Sequence, residues 1–173
     1  HHTLSMRNKE YPLYSKVRER RSLEKAWKVV FSNGKFSQSV ETRRLVNEFA
    51  EDVTRNLERI SERLRFETFS FSPARGVPIR RPGKSDRPIV IAPIQNRIVQ
   101  RSILDILQSL PTIQEYTLTP TSFGELKDPS SSKRVQDAVF RAYQETKNGK
   151  NWYIRSDIKQ FFTKIDREKV LAA

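Results

Sequence analysis

The run NWYIRSDIKQFFTKI, residues 151–165, closes an apolar stretch on one carboxylate and follows it with two phenylalanines. A strand that delivers Asp157 to its end, where the backbone turns, can present that carboxylate to a hard cation. Mg²⁺ takes oxygen ligands in octahedral geometry, commonly one or two carboxylates with substrate phosphates and waters. Two-metal phosphoryl transfer holds its ions about 4 Å apart and needs a second acidic group brought in by the fold. The chain has no Asp-Asp pair, and after Asp157 it offers only Asp166 and Glu168. Both stand at a helix start, where acids interact favourably with the macrodipole, so they read as caps or surface groups. Taken alone, Asp157 also reads as an ordinary turn residue at a strand end.

A second cluster is basic. Arg80, Arg81, Lys84 and Arg87 fall within residues 80–87. Arginine presents a fork of donors that matches phosphate oxygens, and lysine supplies a compact charge. On two antiparallel strands joined by a short turn, several of these cations could converge on one triphosphate. The same charges could instead protect an edge strand from aggregation. Phe161 and Phe162 are open in the same way: core residues, or flat rings beside a nucleotide.

These residues need elements to position them. Residues 7–21 are basic, carry Pro12 and read as a loose lead-in to a helix near Leu23–Phe31, with Gly34 as its stop. Val46, Phe49, Ala50, Val53, Leu57, Ile60 and Leu64 form one apolar stripe, which predicts a helix over 40–64. Arg43, Arg44, Arg55, Arg59 and Arg63 fall mostly off that stripe, as a solvated face or a phosphate-contacting one. FETFSF alternates and predicts a strand from Phe66. Residues 76–92 read as two short strands around a Pro-Gly turn, and Pro78 and Pro88 confine that hairpin to a sheet edge. Pro93 to Leu110 predicts a helix stopped by Pro111, followed by a long polar connection. A third helix runs from a cap at Ser131 or Ser132 through Val135, Val139 and Tyr143 to Asn148-Gly149. Trp152 to Asp157 predicts a strand, and Arg167 to Ala172 a helix. The order is α+β, without the alternation of a doubly wound sheet.

The chain's 173 residues suffice for one domain or one and a half. It is 36% hydrophobic and 31% charged, with 33 Lys and Arg against 20 Asp and Glu, a net +13. Such an excess points to an anionic partner. No apolar run approaches the roughly 18 residues of a membrane span, so nucleic acid is favoured over membrane. The absence of Cys excludes disulfides and thiolate metal sites and suits a reducing cytoplasm. HHTLSM, residues 1–6, reads as a tag remnant.

GKSDRPIVIAPIQNRIVQRSILDIL (83–107) followed by YIRSDIKQFFTKI (153–165) resembles the bacterial reverse transcriptases encoded by group II introns, retrons and related defence systems. The first block is similar to the family's fingers: Arg-Pro before an apolar strand, a Pro, then an Arg-Ile-Val-Gln helix start. The second is similar to its first palm motif, Asp-Ile-Lys-x-Phe-Phe. The likeness covers roughly residues 40–170. It implies helix-rich fingers with an antiparallel edge hairpin over 7–99, leading into an incomplete right-hand polymerase palm over 100–173.

By the same resemblance, Asp157 is the first catalytic carboxylate and, with the Ile158 carbonyl, a metal ligand. Arg87 contacts the triphosphate, assisted by Lys84 or Arg81. Phe162 lies under the sugar and selects deoxynucleotides, and Arg97 and Gln100 face the template and primer. Two Mg²⁺ ions serve the complete enzyme, with none required in these residues alone. The implied partners are an RNA template with a DNA or RNA primer and deoxynucleoside triphosphates, without membrane. Self-association of the unfinished palm is a further expectation. The chain departs from the family at Thr163, where many relatives carry Asp or Asn. It departs again in TSFGELKDPSSS, which lacks the usual Arg-Pro-Gly continuation. The later palm motif, an aromatic and two Asp, is not within these residues, so the fragment alone is expected to be inactive. The competing readings are a non-catalytic RNA-binding module of the same descent and a helical protein-interaction domain.

Overall fold

The computed structural model describes residues 11–81, 83–123, 135–158 and 164–172. For residues 77–81, 84–89, 167 and 171 the description extends to the backbone only. The chain divides into two compact units, His1–Thr117 and Leu118–Ala173. Eight helices and one two-stranded antiparallel sheet make an α+β arrangement among the described residues.

In the first unit, α2 (Arg20–Lys35) is the central helix. It buries Leu23, Ala26, Trp27, Val30 and Gly34, the i, i+3, i+4, i+7 rhythm of a helix sunk along one face. Against it lie Val46 of α3 (Val40–Ala50), Leu57, Ile60 and Leu64 of α4 (Val53–Arg65), and Ile94, Ile98 and Val99 of α5 (Ile94–Leu107). Each fully buried aliphatic side chain here stabilises the fold by about 1.5–3 kcal/mol. Trp27 packs on Phe31 and Phe49 with ring centroids 5.2 and 4.7 Å apart.

Gly34 does not stop α2. It lies inside the helix because α3 crosses there, and a Cβ at this position would overlap Val46 Cγ2. The lead-in is not loose either: α1 (Pro12–Arg18) buries Val17 and is held by three hydroxyl groups. Tyr14 Oη donates to the Leu64 carbonyl at 2.8 Å, Ser61 Oγ to the Arg18 carbonyl at 2.8 Å, and Ser102 Oγ to the Val17 carbonyl at 3.0 Å.

The helix expected over 40–64 is two helices. The apolar stripe continues across the break, but Glu51 and Asp52 leave the helix, and the Asp52 carboxylate caps α4 by accepting from Arg55 N at 3.2 Å. Helix α4 ends in a Schellman motif. Thr68 N donates to Arg63 O and Glu67 N to Leu64 O, with Glu67 at φ 56° in the left-handed position.

The strand expected from Phe66 is absent: the amides of Phe66 to Phe69 bond back to carbonyls at the end of α4, and side chains of α5 take up Ser72. Asn96, buried on α5, donates from Nδ2 to Ser72 O at 2.7 Å and accepts from Ser72 N at 3.2 Å. Gln95 Nε2 donates to Ser72 Oγ at 3.1 Å. This clamp fixes the root of the expected hairpin, β1 (Arg75–Arg81) and β2 (Lys84–Ile91).

Helix α5 ends at Leu107, short of the expected Leu110, and leaves Ile103, Leu104 and Leu107 exposed. Pro111 is no stop: it opens α6 (Pro111–Thr117), a first-turn position that needs no amide hydrogen. In the second unit α7 (Val135–Lys147) has the expected end. Lys150 N donates to Glu145 O and Gly149 N to Thr146 O, with Gly149 at φ 89°. The proposed caps Ser131 and Ser132 lie outside the described residues. Helix α8 (Arg167–Ala172) is capped by Asp166, whose carboxylate accepts from Glu168 N at 3.1 Å.

The strand expected at Trp152–Asp157 does not form: residues 151–158 carry neither helix nor strand. Trp152, Tyr153 and Ile154 are almost fully exposed. The residues suit a strand, but the only sheet among the described residues is the β1–β2 pair, so no ladder partner meets this segment.

Candidate nucleic-acid interface

The hairpin brings the predicted cations onto one ribbon. Its register pairs Ile79 with Arg87 and Arg81 with Lys84, with a shift between Ile79 and Arg81. Gly83 supplies the turn with φ 72°, a conformation that costs other residues about 1–2 kcal/mol. Pro78 stands opposite Pro88, so neither strand has an amide donor there. Arg80, Arg81, Lys84 and Arg87 therefore occupy the tip half of the ribbon, and the Ser72 clamp and α5 hold its root. Arg75 near the root pairs with Glu41 of α3.

Helix α5 begins two residues after β2 and carries the next predicted residues. Arg97 is half-buried, and burial lowers its pKa from the ordinary arginine value. It has no ion-pair partner among the described residues. Gln100, three positions on, is exposed, and i, i+3 spacing puts the two side by side on the helix surface. Arg101, by contrast, pairs with Asp105 at 2.9 Å.

Other arginines differ in the same way. Arg20, Arg44, Arg75, Arg101 and Arg141 each pair with a carboxylate. Arg55, Arg59 and Arg63, at i, i+4 and i+8, have none among the described residues. Arg63 is held by stacking, its guanidinium 5.2 Å from the Phe69 centroid.

Asp157 and Ile158 lie in the second unit, on the exposed segment without regular structure. A carboxylate and a carbonyl oxygen are hard donors of the kind Mg²⁺ accepts, but they fill two of its six positions. The Asp166 carboxylate is occupied in capping α8. Among the described residues no group of three or more His, Asp or Glu is gathered that could hold a metal. The donor set described is thus too small for a metal pair. Phe161, Phe162 and Thr163 lie outside the described residues, as does all of GELKDPSSS.

Sequence reading missed the amide clamp, because an Asn two positions into a helix carries no local sign of a partner twenty-four residues earlier. It also missed that Phe49, Asn56 and Gln95 are neighbours of the α4 arginines, since three separate helices bring them together. No helix among the described residues is long and apolar enough to cross a membrane. No protein-family model matches this chain, and no curated protein matches it.

Proposed function

We propose that this chain is the fingers and the first part of the palm of an RNA-directed DNA polymerase. The observation that supports this most is the ordered pair of motifs, together with the antiparallel basic ribbon at residues 75–91 and the helix that follows it. In this reading Arg87, with Lys84 or Arg81, contacts an incoming deoxynucleoside triphosphate, and Arg97 and Gln100 lie along the template. Positioning by such a ribbon lowers the entropic part of the barrier and keeps water from the reacting phosphate. Asp157 contributes one oxygen ligand to a divalent cation, and Phe162 crowds the 2′ position of the sugar. The remaining acidic groups come from the complete polymerase, and Mg²⁺ bound there would stabilise charge on the transferring phosphate.

A second reading is an RNA-holding module without catalysis, with the same basic ribbon. It rests on the ribbon alone and needs no metal site. RNA-templated primer extension separates the two. The 173 residues alone extend nothing in either case. The complete open reading frame extends a primer only in the first, and loses that activity on Asp157→Ala. If the complete frame binds primer–template and extends nothing, the holding module stands.

A further inference from the structure

A groove of about 570 Å³ opens in the first unit between α3, α4 and the start of α5. Its apolar floor is Leu45, Phe49, Ile60 and Ile94, and Arg59 and Arg63 rise along one side. This volume falls within the range of small-ligand sites. Two acidic residues also line it. Glu48 is already neutralised by Arg44, which leaves Glu62 against two arginines.

The shape is held before any ligand arrives. Arg63 is fixed by stacking on Phe69 and by a long contact to Gln95 Oε1 at 3.5 Å, and Gln95 is fixed in turn by Ser72. Asn56, which also lines the groove, donates to the Phe49 carbonyl at 3.1 Å and so ties α4 to the end of α3. Arg55 continues the arginine row one turn away. Successive arginines on α4 are about 6 Å apart along the axis, a spacing that a flexible single strand can follow with its phosphates.

We propose that this groove takes one unstacked nucleotide of single-stranded RNA, its base on the apolar floor and its phosphates on Arg59 and Arg63. An apolar floor beside fixed cations suits a π-faced, anionic ligand. An acidic peptide would match the cations and leave the floor uncovered. The assignment rests on the RNA-binding reading above, and it adds a contact separate from the ribbon and Asp157.

The test uses the 173-residue chain and a short fluorescent single-stranded RNA, with binding measured across a salt series. Each phosphate contact on a single strand contributes about 0.7 to the slope of log K against log salt. Arg59→Gln should flatten the slope by about that amount and weaken binding. Lys28→Gln removes the same charge from the exposed side of α2 and should leave the slope unchanged. RNA carrying 4-thiouridine should photocrosslink to residues 45–63. Arg63→Gln should act like Arg59→Gln, but Arg59 is exposed and makes no hydrogen bond or ion pair among the described residues, so the result does not depend on a variant that could misfold. Equal flattening by both Gln variants of Arg59 and Lys28, or crosslinks confined to other segments, would overturn the groove and leave RNA binding intact. Displacement of the crosslink by polyglutamate as readily as by unlabelled RNA would overturn the nucleotide assignment. No saturable RNA binding by the unaltered chain would overturn the RNA reading itself.

Discussion

Gly34 of α2 lies directly under Val46 of α3, with no room for a Cβ between the helices. This contact sets the approach of α3 to the central helix and so the position of Phe49 and Leu45 above it. Gly34→Ala should therefore destabilise the fold although alanine is the better helix former. The helix gain is about 1 kcal/mol, and overpacking costs typically about 1–3 kcal/mol. Urea unfolding should show a net loss, and Gly34→Ala with Val46→Ala should recover part of it. A stabilised single variant would mean that the helices can separate freely.

The Asn96 clamp holds the Ser72 backbone with side-chain hydrogen bonds, and it anchors the root of the basic ribbon. Asn96→Ala should cost about 1–3 kcal/mol, because Ser72 loses both backbone partners. Amide exchange at residues 68–75 should quicken more than exchange in α2. Uniform quickening across the first unit would show that Asn96 serves the core rather than the ribbon.

Glu67 occupies a left-handed position at the end of α4. Glu67→Gly should stabilise the protein by about 1 kcal/mol, the cost of that conformation for a residue with a Cβ. An unchanged or lowered urea midpoint would show that the glutamate makes a compensating contact.

Tyr14 has its pKa raised, first by burial and then by the nearby Glu67 charge. The fold thus favours the protonated phenol, which donates to Leu64 O. That contribution is fully present below the unfolded value of about 10 and fades as pH rises through the higher folded value. Tyr14→Phe should cost about 1 kcal/mol at neutral pH and should remove this part of the alkaline loss of stability. An alkaline unfolding limb identical in the two proteins would count against the assignment.

Periodicity revealed the elements whose partners are their own residues. Helix α2, the end of α7 at Gly149 and the 75–91 ribbon could all be read from spacing and turn residues. The missed features depend on distant groups. The docking of α1 needs carbonyl acceptors and hydroxyl donors on α4 and α5. The break at Asp52 is hidden by an apolar stripe that runs straight through it, although an Asp three residues before Arg55 is a legible cap. Trp152–Asp157 has the composition of a strand, but a strand is made by its neighbour. Of the candidate site, the ribbon was legible; the groove beside α4 was not, because no single helix carries it.

The polymerase reading turns on Asp157. The direct measurement is deoxynucleotide incorporation on an RNA template by the complete open reading frame, with Asp157 intact and with Asp157→Ala, in the presence of Mg²⁺. The account predicts primer extension by the first and none by the second, with RNA binding equal in both. Extension that survives Asp157→Ala would contradict it.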